Sequence, residues 1–375
     1  MTSRPIVALV TDAIHPYSFG GREMRYHELS RHLAQHADVH VFTMHWWDGP
    51  RTRVEGPVTF HAISPLLPLY RNGVRSTWQA LVFALSCLRL LGRRFDVLDV
   101  DQIPFFPLLV LRVVATLRRK PLIATWHEVW GPAYWRDYLG APWRPAWWIE
   151  WLAMRAPDHT IAASPETAAR LRDALGARAS ITIAPNGIDL EGVRSAMPDD
   201  KPTDLVVVSR LMKHKRLELL LQAVALLHER GRPVTCRIIG DGPERDALHE
   251  EAAVLGIAHV VDFRHDVSEQ KDVYSLIKAG RVFAFPSTRE GFGIAVLEAL
   301  ACEVPVVTTS ARDNLAQYLV LRSQRGVVCD HTLPAFAAAL DAALDAPPDG
   351  LAKDPWLSEY TWESMAARVA GVLLP

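Results

Sequence analysis

The chain has 375 residues, a formal charge of −1 and a pI near 7. That length allows two domains with a core each, and the balanced charge supplies no global field to recruit nucleic acid. About half of the residues are apolar and 22% are charged, the profile of a soluble globular chain. The four cysteines, Cys87, Cys236, Cys302 and Cys329, lie far apart with no metal-ligand spacing, which predicts reduced core thiols and a cytoplasmic location.

The first residues run directly into an apolar strand, Ile6 to Asp12, with no basic region followed by a long apolar one, so no signal peptide is expected. A loop with Gly20 and Gly21 follows, then a helix over 22–37 and a strand from Val39 to Met44. The most apolar region, residues 78–95, is interrupted by Arg89 and ends in Arg93 and Arg94. It is too short and too broken to span a bilayer. It reads as a core helix, with an interfacial helix making a peripheral membrane contact as the alternative.

Further strands are expected over 95–101, 121–128 and 159–165, each ending in polar residues. The segment 181–204, with Pro185, Asn186, Gly187, Pro198 and Pro202, reads as a linker. After it the alternation restarts: strand 204–211, helix 217–230, strand 234–242, helix 244–256, strand 259–265, a helix near 272–280 and strand 281–287. Residues 356–374 read as a final helix. The predicted class is α/β, with two Rossmann-like, doubly wound parallel-sheet domains. The expected boundaries are 1–186 for an acceptor-side domain, 187–355 for a donor-binding domain, and 356–375 for a helix returning to the first. Ligands bind outside the carboxyl ends of strands in such sheets, so a cleft between the two strand edges is the expected site.

The candidate chemistry lies in loops at those strand ends. Gly20 and Gly21 open a helix after the first strand, where bare backbone lets a ligand approach N–H groups. The spacing is not G-x-G-x-x-G, so no nicotinamide fingerprint is present. Arg210, Lys213, Lys215 and Arg216 crowd the start of an apolar helix, against the macrodipole preference there. A bound diphosphate would answer those charges; a solvated basic surface is the alternative. His127 stands beside Glu128 at another strand end, in a structural or a functional role.

Residues 283–310 carry the strongest signal. Glu290 sits in a turn with Gly291, Phe292 and Gly293, and the helix that starts near Ile294 leaves open N–H groups for an anion. Glu298 falls within that helix among apolar neighbours. A carboxylate there is costly unless hydrogen-bonded, and a ribose diol would supply two donors.

Together these segments resemble the retaining glycosyltransferases of family 4, whose two-Rossmann architecture is called GT-B. The resemblance covers most of the chain. It is carried by the strand end with Arg210 and Lys215, the turn Gly240–Pro243, the segment Ala184–Asp189, the Gly20–Gly21 loop, and the two glutamates Glu290 and Glu298. It implies that Arg210 and Lys215 bind a donor diphosphate and stabilise the leaving group. It further implies that Glu298 holds the nucleotide ribose, that Glu290 contacts the donor sugar, and that His127 lies near that sugar. The amides of Gly291, Phe292, Gly293 and Ile294, with those of Gly20 and Gly21, would complete a phosphate cradle. The implied reaction is front-face transfer with retention from a nucleotide-sugar, UDP- or GDP-linked, to an unidentified acceptor hydroxyl. No cofactor and no metal are expected. One departure is Arg216, where the family usually has glycine.

Asp99-Val100-Asp101 is an Asp-x-Asp string of the kind that binds metal in other glycosyltransferases. Here an acceptor-side or structural role is preferred, because the basic residues already answer phosphate charge. The aromatic segment 126–151 offers Trp130 and Trp135 for an acceptor, or for packing. Two other activities compete. A glycoside hydrolase also uses two carboxylates but leaves the Arg210–Lys215 cluster unexplained; an epimerase of the same fold would act on the nucleotide-sugar without an acceptor.

Overall fold

The computed structural model describes residues 4–71, 74–176, 179–346 and 355–374. The chain divides into two compact units, one ending at Gly187 and regained from Trp362 onward, the other Ile188–Thr361. In the first unit the elements are β1 (Ile6–Val10), α1 (Gly21–Leu33), β2 (Asp38–Met44), β3 (Thr52–Glu55), β4 (Val58–Ser64), β5 (Tyr70–Arg71) and β6 (Val74–Arg75). There follow α2 (Thr77–Ser86), a 3₁₀ turn (Cys87–Gly92), β7 (Val97–Asp101), α3 (Phe106–Arg118) and β8 (Leu122–Trp126). The run closes with α4 (Gly131–Leu139), α5 (Trp143–Arg155), β9 (His159–Ala162), α6 (Pro165–Leu175) and β10 (Ile181–Ile183).

The main sheet of this unit has the order β10-β9-β8-β7-β1-β2-β4-β3. All its pairings are parallel except β3 with β4. β1 and β7 are neighbours, and the chain leaves them in opposite directions across the sheet. Helices cover both faces, which is why β7 and β8 are buried along their whole length. Phe83, Leu90 and Leu111 fill the core on one side.

The second unit runs α7 (Leu190–Ser195), β11 (Thr203–Val208), a 3₁₀ turn (Lys213–Lys215), α8 (Leu217–Glu229), β12 (Cys236–Ile239), α9 (Arg245–Val254) and β13 (Val261–Arg264). It continues with α10 (Gln270–Lys278), β14 (Gly280–Phe285), β15 (Arg289–Glu290), α11 (Ile294–Ala301), β16 (Val306–Thr309) and β17 (Asp313–Asn314). Next are α12 (Gln317–Ser323), β18 (Gly326–Cys329), α13 (Leu333–Asp345) and a 3₁₀ turn (Pro355–Tyr360). Its six-stranded sheet, β13-β12-β11-β14-β16-β18, is parallel throughout. The order reverses between β11 and β14, so the carboxyl ends of those two strands flank a topological switch point.

Two segments depart from the sequence expectation. Residues 181–204 are not a bare linker: β10 completes the first sheet, and α7 forms because Asp189 caps it, its carboxylate accepting from Gly192 N at 2.8 Å. Between them the chain is anchored by Arg25 of α1, wholly buried, which donates to Ala184 O at 2.8 Å and to Asn186 Oδ1 at 2.9 Å. The expected final helix over 356–374 is split into the Pro355–Tyr360 turn and α14 (Trp362–Leu373), which packs on α1 in the first unit. Among the described residues, no helix is long and apolar enough to cross a membrane.

Candidate functional site

At the switch point of the second unit, the loop after β11 holds Arg210 and Lys215, and the loop after β14 holds Ser287 to Gly293. Backbone and side chains tie the two loops together. The His214 carbonyl accepts from Thr288 N at 2.9 Å, Thr288 Oγ1 at 3.1 Å and Ser287 Oγ at 3.3 Å. Lys215 forms an ion pair with Glu290 and lies 5.4 Å from the Phe285 ring centroid. The fold therefore brings together two residues 75 positions apart, both named from sequence. Glu290 is held from behind by the pairing of β15 with β17, and its carbonyl accepts from Leu315 N at 2.9 Å.

Basic side chains lie near the ring of His214 at this edge. The imidazole of His214 is pushed down to about 2, by burial first and then by Lys215, Arg289 and Arg210. Lys215, Arg289 and Arg210 thus all disfavour a charge on this buried ring. Arg289 carries no sequence signal of this kind, because only the tie of Thr288 to His214 brings its loop to the one that holds Lys215. Arg216, the departure from the family pattern, has φ 54° and caps α8 from the left-handed region. That conformation favours glycine, so the position asks for the residue that the family usually has. Arg216 pairs with Glu218.

Gly293 is the N-cap of α11 with φ 92°, and a Cβ there would overlap the side chain of Ala316. Among the described residues no side chain caps α11, and its first turn carries no acid, so the amides from Ile294 onward keep the partial positive charge of a helix start. Gly291 is half-buried and Phe292 buried. Within the helix, Glu298 is buried and accepts from Gln270 Nε2 at 2.6 Å. Burial raises its carboxyl to about 8. The turn Gly240–Pro243 supports the β11 loop from below. Leu211 N donates to Asp241 O and Glu244 N to Leu211 O, both at 3.0 Å, and a Cβ on Gly240 or Gly242 would strike the backbone of Ser209 or Leu211.

In the first unit the equivalent edge holds a buried charge network. Arg22, in the first turn of α1, contacts Asp101 at 3.0 Å, Glu23 at 3.2 Å and Asp12 at 3.3 Å, and donates to Ile103 O at 2.5 Å. Arg75 also pairs with Asp12. Burial pushes the Asp101 carboxyl up to about 7, against the pull of Arg22, while the carboxylates hold Arg22 well above its ordinary value. Asp99 and Asp101, two apart on β7, point to the same side, and both are engaged. Asp99 accepts from Thr125 Oγ1 at 3.0 Å and Tyr26 OH at 3.2 Å, and Asp101 from Thr11 Oγ1 at 3.2 Å and Ile103 N at 3.2 Å. No group of three or more metal-ligating side chains occurs among the described residues.

His127 lies at the end of β8. Gln102, fully buried, fixes its backbone: Oε1 accepts from His127 N and, at 3.3 Å, from Glu128 N, while Nε2 donates to Glu128 O at 2.7 Å. Burial and the nearby cations Arg25 and Arg22 hold the imidazole well below its ordinary value, and hence neutral. Its Nε2 is buried without a hydrogen-bond partner among the described residues, 3.7 Å from Asp101 Oδ1.

The Gly20–Gly21 turn differs from the open cradle expected of it. The Glu23 carboxylate folds back over Gly20, within 2.6 Å of where a Cβ would stand, and accepts from Ser18 Oγ at 3.1 Å. The start of α1 already carries an anion. The aromatic segment also resolves toward packing. Trp135 is buried and donates its indole N–H to Glu150 Oε2 at 2.6 Å; Trp130 N and Gly131 N donate to the same carboxylate at 2.8 and 3.1 Å. Glu150 thereby caps α4 from α5.

Two family models match the chain in tandem, Glycosyltransferase Family 4 over residues 19–191 and Glycosyl transferases group 1 over residues 193–354. A GDP-mannose-dependent alpha-(1-6)-phosphatidylinositol monomannoside mannosyltransferase of Mycolicibacterium smegmatis is 32% identical over 232 residues, 55% of this chain and 59% of that protein. The chain spans 59% to 63% of the length of the first curated relatives it matches. Among solved structures it is similar to a sucrose-phosphate synthase from Thermosynechococcus elongatus, with TM-score 0.74 and 18% identity over 99% of this chain and 95% of that one. An alpha,alpha-trehalose-phosphate synthase from Burkholderia xenovorans gives TM-score 0.77 and 13% identity, covering 99% of this chain and 100% of the other. At those identities the likeness shows the fold, the two-Rossmann GT-B architecture.

Proposed function

Because the chain belongs to the family 4 glycosyltransferases, with a group 1 domain following the family 4 domain, we propose that it transfers a sugar from a nucleoside-diphosphate donor to an acceptor hydroxyl, with retention and without a metal. The observation that carries this reading is the switch-point edge of the second unit: the loop with Arg210 and Lys215 is tied through the His214 carbonyl to the loop with Arg289 and Glu290, beside a helix start that no described side chain caps. A diphosphate matches that charge and those donors. Arg210 and Lys215 hold the two phosphates, and the amides of Gly291 to Ile294 receive their oxygens. Glu298 takes the ribose hydroxyls, and Glu290, steered by Lys215, faces the sugar.

In the reaction the bond between the anomeric carbon and the diphosphate oxygen breaks. The acceptor oxygen bonds to that carbon from the same face, and its proton passes to the departing phosphate. Charge therefore grows on the diphosphate, and cations fixed in advance stabilise that change most. The positive charge that a divalent ion would bring is assigned to Arg210, Lys215 and Arg289. His127 keeps the sugar-side role that the resemblance gives it, with a neutral ring able to accept or donate one hydrogen bond. The Gly20–Gly21 amides enter the cradle only if Glu23 gives way, so the donor phosphates are assigned to the second unit.

The test is a thermal-shift panel of UDP- and GDP-sugars, with GDP-mannose first because the mycobacterial relative is named for it. A donor at 100 times its Kd adds about 2.7 kcal/mol by linkage, and the shift should vanish in Arg210→Ala and Lys215→Ala. A nucleoside diphosphate released only with an acceptor present separates transfer from epimerisation. No shift with any nucleotide-sugar, together with hydrolysis of an aryl glycoside alone, overturns the proposal in favour of a hydrolase.

A further inference from the structure

The helix layer formed by α2, the Cys87–Gly92 turn, α3 and α5 has two dissimilar sides. Toward the sheet it buries Phe83, Cys87, Leu90, Leu111 and Met154. Away from it, α2 and its turn carry Trp78, Leu81, Leu85 and Leu88, spaced three, four and three apart, so that they form one stripe. Trp78 is 66% exposed and Leu85 64%. On α3, Val113 and Leu117 repeat this at a spacing of four, and on α5 so do Trp148 and Leu152, all exposed. Because α2 packs on α3 and α3 on α5, the three stripes lie side by side as one apolar surface. Single exposed leucines are ordinary; a contiguous patch of this kind marks an interaction site. The 78–95 segment thus packs into the core on one side and carries an exposed apolar stripe on the other.

Charge identifies the partner. Residues 77–95, 106–120 and 143–155 hold nine Lys and Arg side chains and a single acid, Glu150, in a chain whose net charge is −1. Glu150 is buried. Arg112 and Lys120 pair with Asp158 and Asp96. Arg89 turns back to donate to Ile63 O at 2.7 Å and Arg155 to Ala174 O at 3.2 Å, so that among the described residues Arg93, Arg94, Arg118, Arg119 and Arg144 remain as the cations of this face. Arg118 donates to Arg93 O at 3.2 Å, so the basic ends of α3 and of the 3₁₀ turn adjoin. A second copy of the same face would set cations against cations. An anionic bilayer offers what the face lacks: an acyl boundary for the leucines, an interface for Trp78 and Trp148, and phosphates for the arginines.

We propose that this face of the first unit docks onto an anionic lipid bilayer. The test is cosedimentation of the full chain with vesicles of phosphatidylcholine containing 30% phosphatidylglycerol, and with phosphatidylcholine alone, at low and high salt. The chain should pellet with the anionic vesicles and be released by salt. Arg93→Gln/Arg94→Gln should lower partitioning about 25-fold, at about fivefold per cation. Trp78→Ser/Leu85→Ser should lower it at least about tenfold, with an unchanged melting temperature because both side chains face solvent. Failure of the wild type to pellet with anionic vesicles overturns the proposal. So does pelleting that neither double variant reduces, or a lipid-free dimer that the Trp78/Leu85 variant dissolves while no pelleting occurs.

Discussion

Glu298 offers a prediction that can be worked from burial alone. Its carboxyl is pushed from 4.5 to about 8 because it is enclosed in α11. In the unfolded chain it titrates near the ordinary glutamate value. Between those two values the folded protein holds a proton that the unfolded chain has lost, so this group's contribution to stability is full below pH 4.5 and falls until the pH passes 8. The slope is about 1.4 kcal/mol per pH unit. Glu298→Gln keeps the shape and an acceptor for Gln270 Nε2 but cannot ionise. The difference in unfolding free energy, variant minus wild type, should therefore rise by about 2.7 kcal/mol between pH 5.5 and 7.5. Two units can unfold separately, so the readout must be local: urea titration with hydrogen-exchange labelling of peptides spanning 294–309. Parallel stability curves for variant and wild type across that range would show that Glu298 ionises freely in the fold, and the burial argument would fail.

Three further outcomes are expected. Arg210→Ala and Lys215→Ala should each lower kcat for nucleoside diphosphate release about 100- to 1,000-fold, as removal of a fixed charge-stabilising group does; rates within a few-fold of wild type would remove these residues from the site. Arg216→Gly should raise stability by about 0.5–1 kcal/mol in denaturant titration, because relief of a left-handed arginine at φ 54° exceeds the loss of its surface pair with Glu218. Trp135→Phe should cost about 1–3 kcal/mol, since it leaves the buried Glu150 carboxylate one donor short, and calorimetry of the variant should show a lower melting temperature without a change in donor shift.

What the sequence made legible was local. Strand and helix alternation follows from runs such as Ile6–Val10 and Leu217–Glu229, whose periodicity is a property of consecutive residues. The glutamates at 290 and 298 were legible for the same reason, since one loop and one helix turn place both. Arg289 was not, because its partnership with Arg210 and Lys215 depends on β11 and β14 becoming neighbours across three intervening helices. Nor was Glu23, whose carboxylate closes over Gly20 only once α1 has formed. The Trp135–Glu150 contact is of the same kind: the sequence shows an aromatic segment, and only the α4–α5 packing decides that one indole serves a buried carboxylate.

Arg216 joins the two levels. A single sequence shows a residue at odds with the family pattern, and the structure gives the reason the pattern exists: the chain must turn through positive φ between the 3₁₀ turn that carries Lys215 and the helix behind it. That turn sets the direction in which Lys215 leaves the backbone, toward Glu290. The arginine meets the same demand at a conformational cost that glycine avoids. The cost falls on the hinge of the loop that carries the cation, so Arg216→Gly tests stability and the placement of Lys215 together. If the variant is more stable and its donor shift is unchanged, the left-handed turn alone fixes Lys215; if the donor shift weakens, the Arg216–Glu218 pair helps to hold the loop.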